Sequence, residues 1–284
     1  MVKLSVIIIN YNTPEMTELS IRRLREREPE LPLEIILIDN NSDEKLSAET
    51  IGSLGLKYIE NRENFGFAKA VNQGIGASAG EYILLLNSDV IVDEGAISRL
   101  AGCLDGNRNT AAAGPKMVYP DGREQVSFGF FPNVLREFIR LFALYKIIPY
   151  GTLARRNRFN RRIFEEGGAV DWLSGGCLLV RRETFDRVGL LDEHYFFGVE
   201  DIDFCWRLRA AGLEVRFVPE ARVVHHHGFS SGGPRTIKKM EMERDNLNYF
   251  MKKNYPERVA SRAVIYVMHS LKILLIKGIL NFKL

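Results

Sequence analysis

The chain has 284 residues, of which 46% are hydrophobic and 26% charged, the composition of a soluble globular protein with one large α/β domain or two small ones. Its formal net charge is only +3, so overall charge does not identify a partner. The three cysteines are widely spaced and form no CxxC pair, which excludes a disulfide framework and a thiolate zinc site and favours a reducing compartment.

The first residues enter an apolar strand without the layout of a signal peptide. No run of about 18 uncharged apolar residues occurs, so a conventional membrane span is not expected. A local basic patch between residues 155 and 162 suits the phosphates of lipids, nucleotides or nucleic acid. It consists of Arg155, Arg156, Arg158, Arg161 and Arg162.

The first ninety residues alternate between strands and helices. Strands are predicted at 4–9, 34–38, 56–60 and 81–86, and helical patterns begin at Pro14 and Phe67. This alternation is typical of a mostly parallel sheet, which binds ligands beyond the carboxyl ends of its strands. Polar residues stand at all four ends, and we therefore expect a ligand site at that edge. They are Asn10, Asp39, Asn61 and Asn87.

Three glycines in this region nearly match a dinucleotide-binding fingerprint. Gly74, Gly76 and Gly80, however, end a helix and precede a strand. Pyrophosphate binding needs the opposite order, with the glycines opening a helix, so we do not assign them to a cofactor.

The fourth strand ends in Asn87-Ser88-Asp89. Asn87 and Asp89 lie two residues apart, so their side chains leave one face of the strand end. Such an oxygen-rich tip suits a hard divalent cation that already carries phosphate ligands, although Asn, Ser and Asp also form ordinary turns.

The second half changes character. It contains an extended segment at 111–119, an amphipathic helix at 133–148 and an apolar segment at 177–180. A helix is predicted at 200–211, short strands at 214–218 and 221–227, and helices at 237–253 and 256–280.

Acidic residues crowd the first turn of the helix that begins at residue 200. Glu200, Asp201 and Asp203 stand where the helix dipole favours carboxylates. Asp203 and Arg207 are four residues apart and predict a salt bridge. Asp201, at the N-terminus of the helix, is a candidate general base for an acceptor hydroxyl.

Three consecutive histidines follow in the last predicted strand. His225 and His227 would point to one face and His226 to the other. One imidazole together with Asp89, phosphates and water would form a shell for Mn²⁺ or Mg²⁺. A zinc hydrolase would need two histidines at helical spacing with a Glu, which the chain lacks.

Six motifs occur in an order that resembles the family-2 inverting glycosyltransferases of the GT-A fold, in their rhamnosyltransferase-like branch. They are VIIINYN at 6–12, ILIDNNS at 36–42, NFGFA at 64–68, LLLNSD at 84–89, WLSGG at 172–176 and EDIDFCWR at 200–207. The resemblance implies an α/β, GT-A type fold with a mostly parallel nucleotide-binding sheet flanked by helices. It also implies a glycosyltransferase domain at 1–231 and a helical C-terminal extension at 232–284. Within the domain, residues 1–110 would bind the nucleotide sugar, and residues 111–231 would bind the acceptor and carry out catalysis.

The resemblance also assigns roles to single residues. Asp89 would bind the metal with His225, or with His227 if the register shifts by two. Asp201 would be the catalytic base, with Glu200 beside it. The nucleotide-sugar-binding residues would be Tyr11, Asn12, Asp39, Asn64, Lys69, Asn87 and Asp89. Trp172, Gly175 and Gly176 would border the acceptor.

The implied reaction is metal-dependent, inverting transfer of a single sugar from a nucleotide-diphosphate sugar. The donor implied by the branch is dTDP-rhamnose, and the acceptor a hydroxyl of a glycan or lipid-linked glycan in cell-surface polysaccharide synthesis. The chain lacks the Gln-x-x-Arg-Trp motif and membrane helices expected of a processive synthase. A sugar-1-phosphate nucleotidyltransferase would need an early Gly-rich basic loop where this chain has Asn10-Tyr11-Asn12. A catalytically silent carbohydrate-binding or scaffold protein on the same fold is the remaining alternative.

We expect a cytoplasmic protein. The segment 264–284 interleaves apolar residues and lysines, which fits either a helix packed on the domain or an interfacial helix. In the second case it would act with 133–162 to hold the enzyme on the inner face of an anionic membrane. No recognised nucleic-acid-binding fold or aromatic interleaving supports nucleic acid as a partner.

Overall fold

The computed structural model describes residues 3–141, 161–226 and 236–281. The strands are β1 Leu4–Asn10, β2 Leu33–Asp39, β3 Lys57–Glu60, β4 Tyr82–Asn87, β5 Val90–Val92, β6 Thr110–Val118, β7 Phe128–Gly129, β8 Gly168–Val170, β9 Trp172–Leu173, β10 Cys177–Arg181 and β11 Glu214–His225. The helices are α1 Pro14–Arg27, α2 Ala48–Ser53, α3 Phe67–Ala77, α4 Ala96–Gly106, α5 Val134–Leu141, α6 Arg182–Val188, α7 Glu200–Ala210, α8 Ile237–Asn254 and α9 Val259–Asn281.

The main sheet has the strand order β3-β2-β1-β4-β10-β6-β11-β5, and β8 also pairs with β11. Strands β1 to β4 are parallel to one another, as the alternation of strands and helices predicts. Strand β10 runs antiparallel to both β4 and β6, and β11 is parallel to β6. A separate pair, β7 and β9, is antiparallel.

The central strands are buried on both faces because their sequences are continuously aliphatic. Val6, Ile8 and Leu84 belong to the core on one face of the sheet. Ile7 and Leu85 belong to the core on the other face. Helices α1 and α4 contribute side chains to the first core, and α3 and α7 to the second.

The carboxyl ends of the parallel strands meet at one edge, as the sequence predicts. Asn10 and Asp39 are register partners at the ends of β1 and β2, and Asn87 ends β4. The backbone N–H of Asn61, just after β3, donates to the Asp39 carbonyl at 2.9 Å. The four polar residues therefore line one edge of the sheet.

Two of the three glycines excluded as a cofactor fingerprint, Gly74 and Gly80, pack against the sheet. A Cβ at Gly74 would meet the Ile7 and Ile38 side chains, and one at Gly80 would meet the backbone of Ser5. Both positions need a small residue so that the chain can approach β1 closely.

One prediction in the second half is wrong. The segments 214–218 and 221–227 are not two short strands, because a single strand runs from Glu214 to His225. Its pairing with β6 shifts between Val218 and Arg222, around Pro219, which cannot donate a ladder hydrogen bond. His227 lies outside the described residues.

The chain divides into two compact units. Unit 1 comprises Met1–Phe130, Ile163–Phe196 and Glu200–Gly233, and it contains both sheets. Unit 2 comprises Phe131–Arg162, Phe197–Val199 and Pro234–Leu284. The predicted domain boundary at residue 231 lies outside the described residues and stays a prediction.

Unit 2 contains helices α5, α8 and α9. The predicted helix at 133–148 is described as Val134–Leu141, and its remainder falls outside the described residues, as do Arg155, Arg156 and Arg158. Within the described residues, one helix is long and apolar enough to cross a membrane, at Val259–Gly278 in α9. This stretch was not predicted from the sequence, because charged residues interrupt it.

Candidate active site

Asp39 is fully buried at the junction of β1 and β2. Its Oδ2 accepts a hydrogen bond from Asn10 Nδ2 at 2.7 Å, and its Oδ1 accepts one from the Ser42 backbone N–H at 2.8 Å. These contacts hold the carboxylate rigidly beside exposed Tyr11. A ligand could reach its remaining lone pairs only after a local movement, because the side chain has no exposed surface.

The loops that follow β1 and β2 are joined through side chains. Asn12 Oδ1 accepts from the Asp43 N–H at 2.7 Å, and Ser42 Oγ accepts from the Asn12 N–H at 3.0 Å. Asn12 and Asn41 both have positive φ, as does Val199 just before Glu200. These are the non-glycine residues with positive φ in the described ranges, and all three lie beside predicted site residues. Such backbone strain tends to occur at functional sites.

A network of amides precedes helix α3. Asn64 Oδ1 accepts hydrogen bonds from Asn40 Nδ2 and from the Gly66 N–H, both at 2.9 Å. Asn40 Oδ1 in turn accepts from Asn61 Nδ2 at 3.0 Å. The network fixes the turn that leads into the first residue of α3.

Lys69 lies on the first turn of α3 and is half-buried. Its Nζ sits 4.0 Å from the centroid of the Phe65 ring, a cation–π contact that leaves the ammonium protons available. A lysine at a helix N-terminus is well suited to bind an anion, because the helix dipole and exposed N–H groups act in the same direction.

Asp89, His225 and Gln125 form a buried group beyond the end of β4. His225 Nε2 lies 3.3 Å from Asp89 Oδ1. Gln125 Nε2 donates to the His225 carbonyl at 2.8 Å, which turns Gln125 Oε1 toward His225 Nδ1 at 2.9 Å. Because Gln125 Oε1 is an acceptor, Nδ1 of His225 donates to it, and Nε2 faces the Asp89 carboxylate.

This arrangement fits a divalent cation. His225 Nε2 and Asp89 Oδ1 lie 3.3 Å apart, close enough for both atoms to contact one cation. Imidazole nitrogen and carboxylate oxygen are also ligands that Mn²⁺ accepts. Among the described residues no three His, Cys, Asp or Glu side chains converge on one point, so further ligands would come from elsewhere.

Asp201 is half-buried in the first turn of α7. Its Oδ2 accepts from the Gly175 N–H at 3.0 Å, and its Oδ1 accepts from the Ile202 N–H at 2.8 Å. Burial raises the pKa of this carboxyl, and the two backbone hydrogen bonds oppose the rise. A carboxylate with a raised pKa is a stronger base, as a proton acceptor requires.

The segment before β10 connects Asp201 with the end of β4. The Asn87 N–H donates to the Gly176 carbonyl at 2.9 Å. A Cβ at Gly176 would lie 3.4 Å from Asn87 Nδ2, and a Cβ at Gly175 would lie 3.6 Å from Asp201 Cβ. Gly175 and Gly176 thus lie between the predicted metal motif and the predicted base.

Three further polar side chains near the site are buried or bonded within the protein: Trp172, Glu200 and Asp203. Trp172 Nε1 donates to the Phe130 carbonyl at 3.2 Å. Glu200 is buried next to Asp201. Asp203 forms the predicted salt bridge, since its Oδ2 lies 3.0 Å from Arg207 Nε and the carboxylate is fully buried.

Sequence reasoning missed Gln125 and Phe67. Gln125 is separated by 100 residues from His225, and an isolated Gln after a turn carries no local signal of pairing with a histidine. Phe67, in the NFGFA motif, lies where a Cβ at Gly175 would come within 3.5 Å of its ring.

Two family models match the chain. The one described as Glycosyl transferase family 2 covers residues 5–189, and the one described as N-terminal domain of galactosyltransferase covers 166–228. Their span includes the strand ends, the WLSGG segment and the helix that carries Asp201.

Related proteins extend the match. The N-acetylglucosaminyl-diphospho-decaprenol L-rhamnosyltransferase of Mycobacterium tuberculosis (strain ATCC 25618 / H37Rv) is 31% identical over 217 residues, 72% of this chain and 69% of the relative. Rhamnosyltransferase WbbL of Escherichia coli (strain K12) is 28% identical over 205 residues, 68% of this chain and 73% of the relative.

Solved structures share the fold. The mannosyltransferase PcManGT from Pyrobaculum calidifontis, in complex with GDP-Man and Mn²⁺, gives a TM-score of 0.61 at 15% identity, covering 95% of this chain and 70% of that one. GalNAc-T7 with UDP, GalNAc and Mn²⁺ gives 0.60 at 19% identity, covering 92% and 51%.

Proposed function

Because the chain belongs to glycosyl transferase family 2, in its rhamnosyltransferase-like branch, and has the GT-A fold, we propose that it catalyses inverting, metal-dependent transfer of a single sugar. The donor is a nucleotide-diphosphate sugar, with dTDP-rhamnose the first candidate, since two rhamnosyltransferases are among its relatives. The acceptor is a hydroxyl group of a glycan or of a lipid-linked glycan at the cytoplasmic side of the membrane.

One observation carries this proposal. Gly175 and Gly176 contact both Asp201 and Asn87, so a carboxylate with a raised pKa stands close to the oxygen-rich end of β4. A transferase needs this pairing, because the base must reach the acceptor while the diphosphate is held on the opposite side of the reacting carbon.

Donor binding is assigned to the edge formed by β1 to β4. Exposed Tyr11 offers a ring for the base, and rigid Asp39 and Asn12 offer acceptors for base and ribose. Asn64 and Lys69 would lie along the diphosphate, supported by the N-terminus of α3.

Asp89 and His225 would hold a Mn²⁺ or Mg²⁺ ion, with donor phosphate oxygens and water as the other ligands. Such an ion stabilises negative charge on phosphate oxygens. Gln125 keeps the imidazole of His225 in the tautomer that ligation requires.

Asp201 would act as the general base. It removes the proton of the acceptor hydroxyl while that oxygen attacks the anomeric carbon from the face opposite the diphosphate. The carbon–oxygen bond to the diphosphate breaks, and the nucleoside diphosphate leaves with the electron pair. Lys69 offsets its growing charge, and the anomeric configuration inverts.

The acceptor would lie against Trp172, Gly175 and Gly176. The two glycines present backbone rather than side chains beside Asp201 and Asn87. The relative from Mycobacterium tuberculosis is named for a diphospho-decaprenol acceptor, which supports a lipid-linked acceptor here.

Calorimetric titration with UDP, dTDP and GDP, each with and without Mn²⁺ or Mg²⁺, tests the donor site. We expect metal-dependent binding of one nucleotide, and binding of none would contradict the proposal. With the donor that matches, NMR of the product then tests inversion, since a retained anomeric configuration would refute the assigned mechanism.

A further inference from the structure

Helix α9 is apolar and yet largely uncovered. It contains no Asp or Glu, and it is long and apolar enough to cross a membrane. Only 17% of its most apolar stretch is buried, whereas the core helix of a soluble domain is mostly buried. The helix therefore exposes apolar side chains that the rest of the described protein does not cover.

Of the six large apolar side chains that are exposed on the described part of α9, five form one continuous stripe and Val259 lies outside it. Their exposed fractions are 45% for Val264, 53% for Val267, 52% for Leu271 and 62% for both Leu274 and Leu275. At about 100° per residue, these five side chains fall within an arc of about 100°. We call them the apolar stripe.

The opposite side of α9 is anchored within unit 2. Ile265, His269 and Ile273 are buried, each four residues from the next. His269 Nε2 lies 3.1 Å from Glu137 Oε2 on α5. Because this face is held by the protein, the apolar stripe points away from it.

Cations border the apolar stripe on both sides. By the same helical spacing, Lys272 lies to one side of the apolar stripe and Lys277 to the other, each about 110° from its centre. Lys272 Nζ donates to the Leu141 carbonyl at 3.0 Å, and Lys277 Nζ lies 2.7 Å from Glu241 Oε1. An apolar face flanked by lysines is typical of helices that lie at an anionic lipid surface.

We propose that the apolar stripe of α9 is a membrane-docking surface that lies in the plane of an anionic phospholipid membrane, with its leucines below the headgroups. Lys277 is already paired with Glu241 on α8, but α9 itself carries cations and no carboxylate, so its charge is complementary to anionic headgroups and not to a second copy of the same helix. A spanning helix would have to give up the contact between His269 and Glu137, so the in-plane geometry is favoured.

Flotation of the full chain with vesicles tests membrane binding by the apolar stripe. The assay needs no donor or acceptor, so a negative result is distinct from a failure of the proposed reaction. The vesicles are phosphatidylcholine alone and phosphatidylcholine with phosphatidylglycerol. The test variant is L271Q/L274Q/L275Q, and the charge variant is K272Q/K277Q. The matched control is L19Q/L190Q, since Leu19 and Leu190 are exposed to 40% and 42% in unit 1.

We expect the protein to float, more strongly with phosphatidylglycerol. The membrane partition coefficient of the triple leucine variant should be about a hundredfold lower than that of the parent, because three apolar side chains are no longer buried in lipid. The lysine variant should lose the preference for phosphatidylglycerol, and the control should float as the parent does. Circular dichroism confirms that each variant is folded.

Three outcomes would overturn the proposal. The first is a protein that does not float, or that floats equally well without the three leucines. The second is a protein that resists extraction from vesicles by alkaline carbonate, which would indicate a spanning helix. The third is a dimer in sedimentation that the leucine variant dissociates, which would assign the apolar stripe to a second copy.

Discussion

Gln125 holds His225 through two hydrogen bonds, one to its backbone carbonyl at 2.8 Å and one to Nδ1 at 2.9 Å. Together they fix the position and the tautomer of the imidazole, whose Nε2 then lies 3.3 Å from Asp89. Gln125 is thus a positioning residue for a proposed metal ligand.

The variant Q125L should weaken binding of Mn²⁺, measured in the presence of the nucleoside diphosphate, by roughly 10–100-fold, as loss of such a partner commonly does. Q125E should retain more affinity, because its carboxylate still accepts from Nδ1. V126A is the control, since Val126 is 82% exposed next to Gln125. Equal Mn²⁺ affinity in Q125L and the parent would remove Gln125 from the site.

The variant D201N should lower kcat by roughly 10²–10⁴-fold, because an amide cannot take the acceptor proton. The Kd for the nucleotide should stay unchanged, as measured by calorimetry. D186N, at an exposed carboxylate on α6, is the matched control. Transfer by D201N at the parent rate would show that another group is the base.

The strand ends of the first half could be predicted because continuous aliphatic runs leave few alternatives to buried parallel strands. Asn10, Asp39 and Asn87 follow from that pattern, since parallel strands end at a common edge. The position of β10 between β4 and β6 could not be predicted, because its apolar sequence is equally compatible with other neighbours.

Contacts between segments far apart in the chain could not be predicted from the sequence either. The pair of Gln125 and His225 depends on how β11 pairs with β6, and local periodicity does not report that pairing. Two short strands were predicted at 214–218 and 221–227, but a register shift lets one strand continue past Pro219.

The acid limb of the pH profile should reflect the environment of Asp201. Burial raises the pKa of its carboxyl above the ordinary value near 3.8, so the base becomes protonated at a higher pH than an exposed Asp would. We expect kcat/KM to fall with decreasing pH while the protein is still folded. A profile that stays flat until circular dichroism reports unfolding would contradict this.

The network of Glu137, Arg140 and His269 should stabilise unit 2. Burial alone would raise the pKa of Glu137, but the hydrogen bond with His269 and the charge of Arg140 at 2.7 Å outweigh it, and the pKa is lowered. A lowered carboxyl pKa stabilises the fold above the ordinary value near 4.5, and this stability is lost as the pH falls through the lowered pKa.

The variant E137A should therefore reduce the free energy of unfolding at neutral pH by roughly 3 kcal/mol, and by less in acid. Urea denaturation at both pH values measures the difference. E18A removes an exposed pair with Arg22 on α1 and should cost under about 0.5 kcal/mol. Similar losses for the two variants would refute a stabilising role of the buried network.

Alanine substitutions at Gly175 and Gly66 should have different effects, the first on activity and the second on stability. A Cβ at Gly175 would make ordinary contacts, 3.5 Å from the Phe67 ring and 3.6 Å from Asp201 Cβ, so G175A should fold normally. It would nevertheless fill space beside the proposed base, and we expect kcat/KM to fall by about tenfold through displaced acceptor.

G66A should do the opposite, because Gly66 has φ +80° and a Cβ would collide with the Phe196 carbonyl. Its free energy of unfolding should fall by roughly 1–3 kcal/mol. G76A on the exposed side of α3, where a Cβ meets nothing within 4 Å, should keep both activity and stability. Melting temperatures and kcat/KM, measured for G175A, G66A and G76A, distinguish the three variants. A destabilised G175A would mean that Gly175 is required for packing rather than for acceptor access.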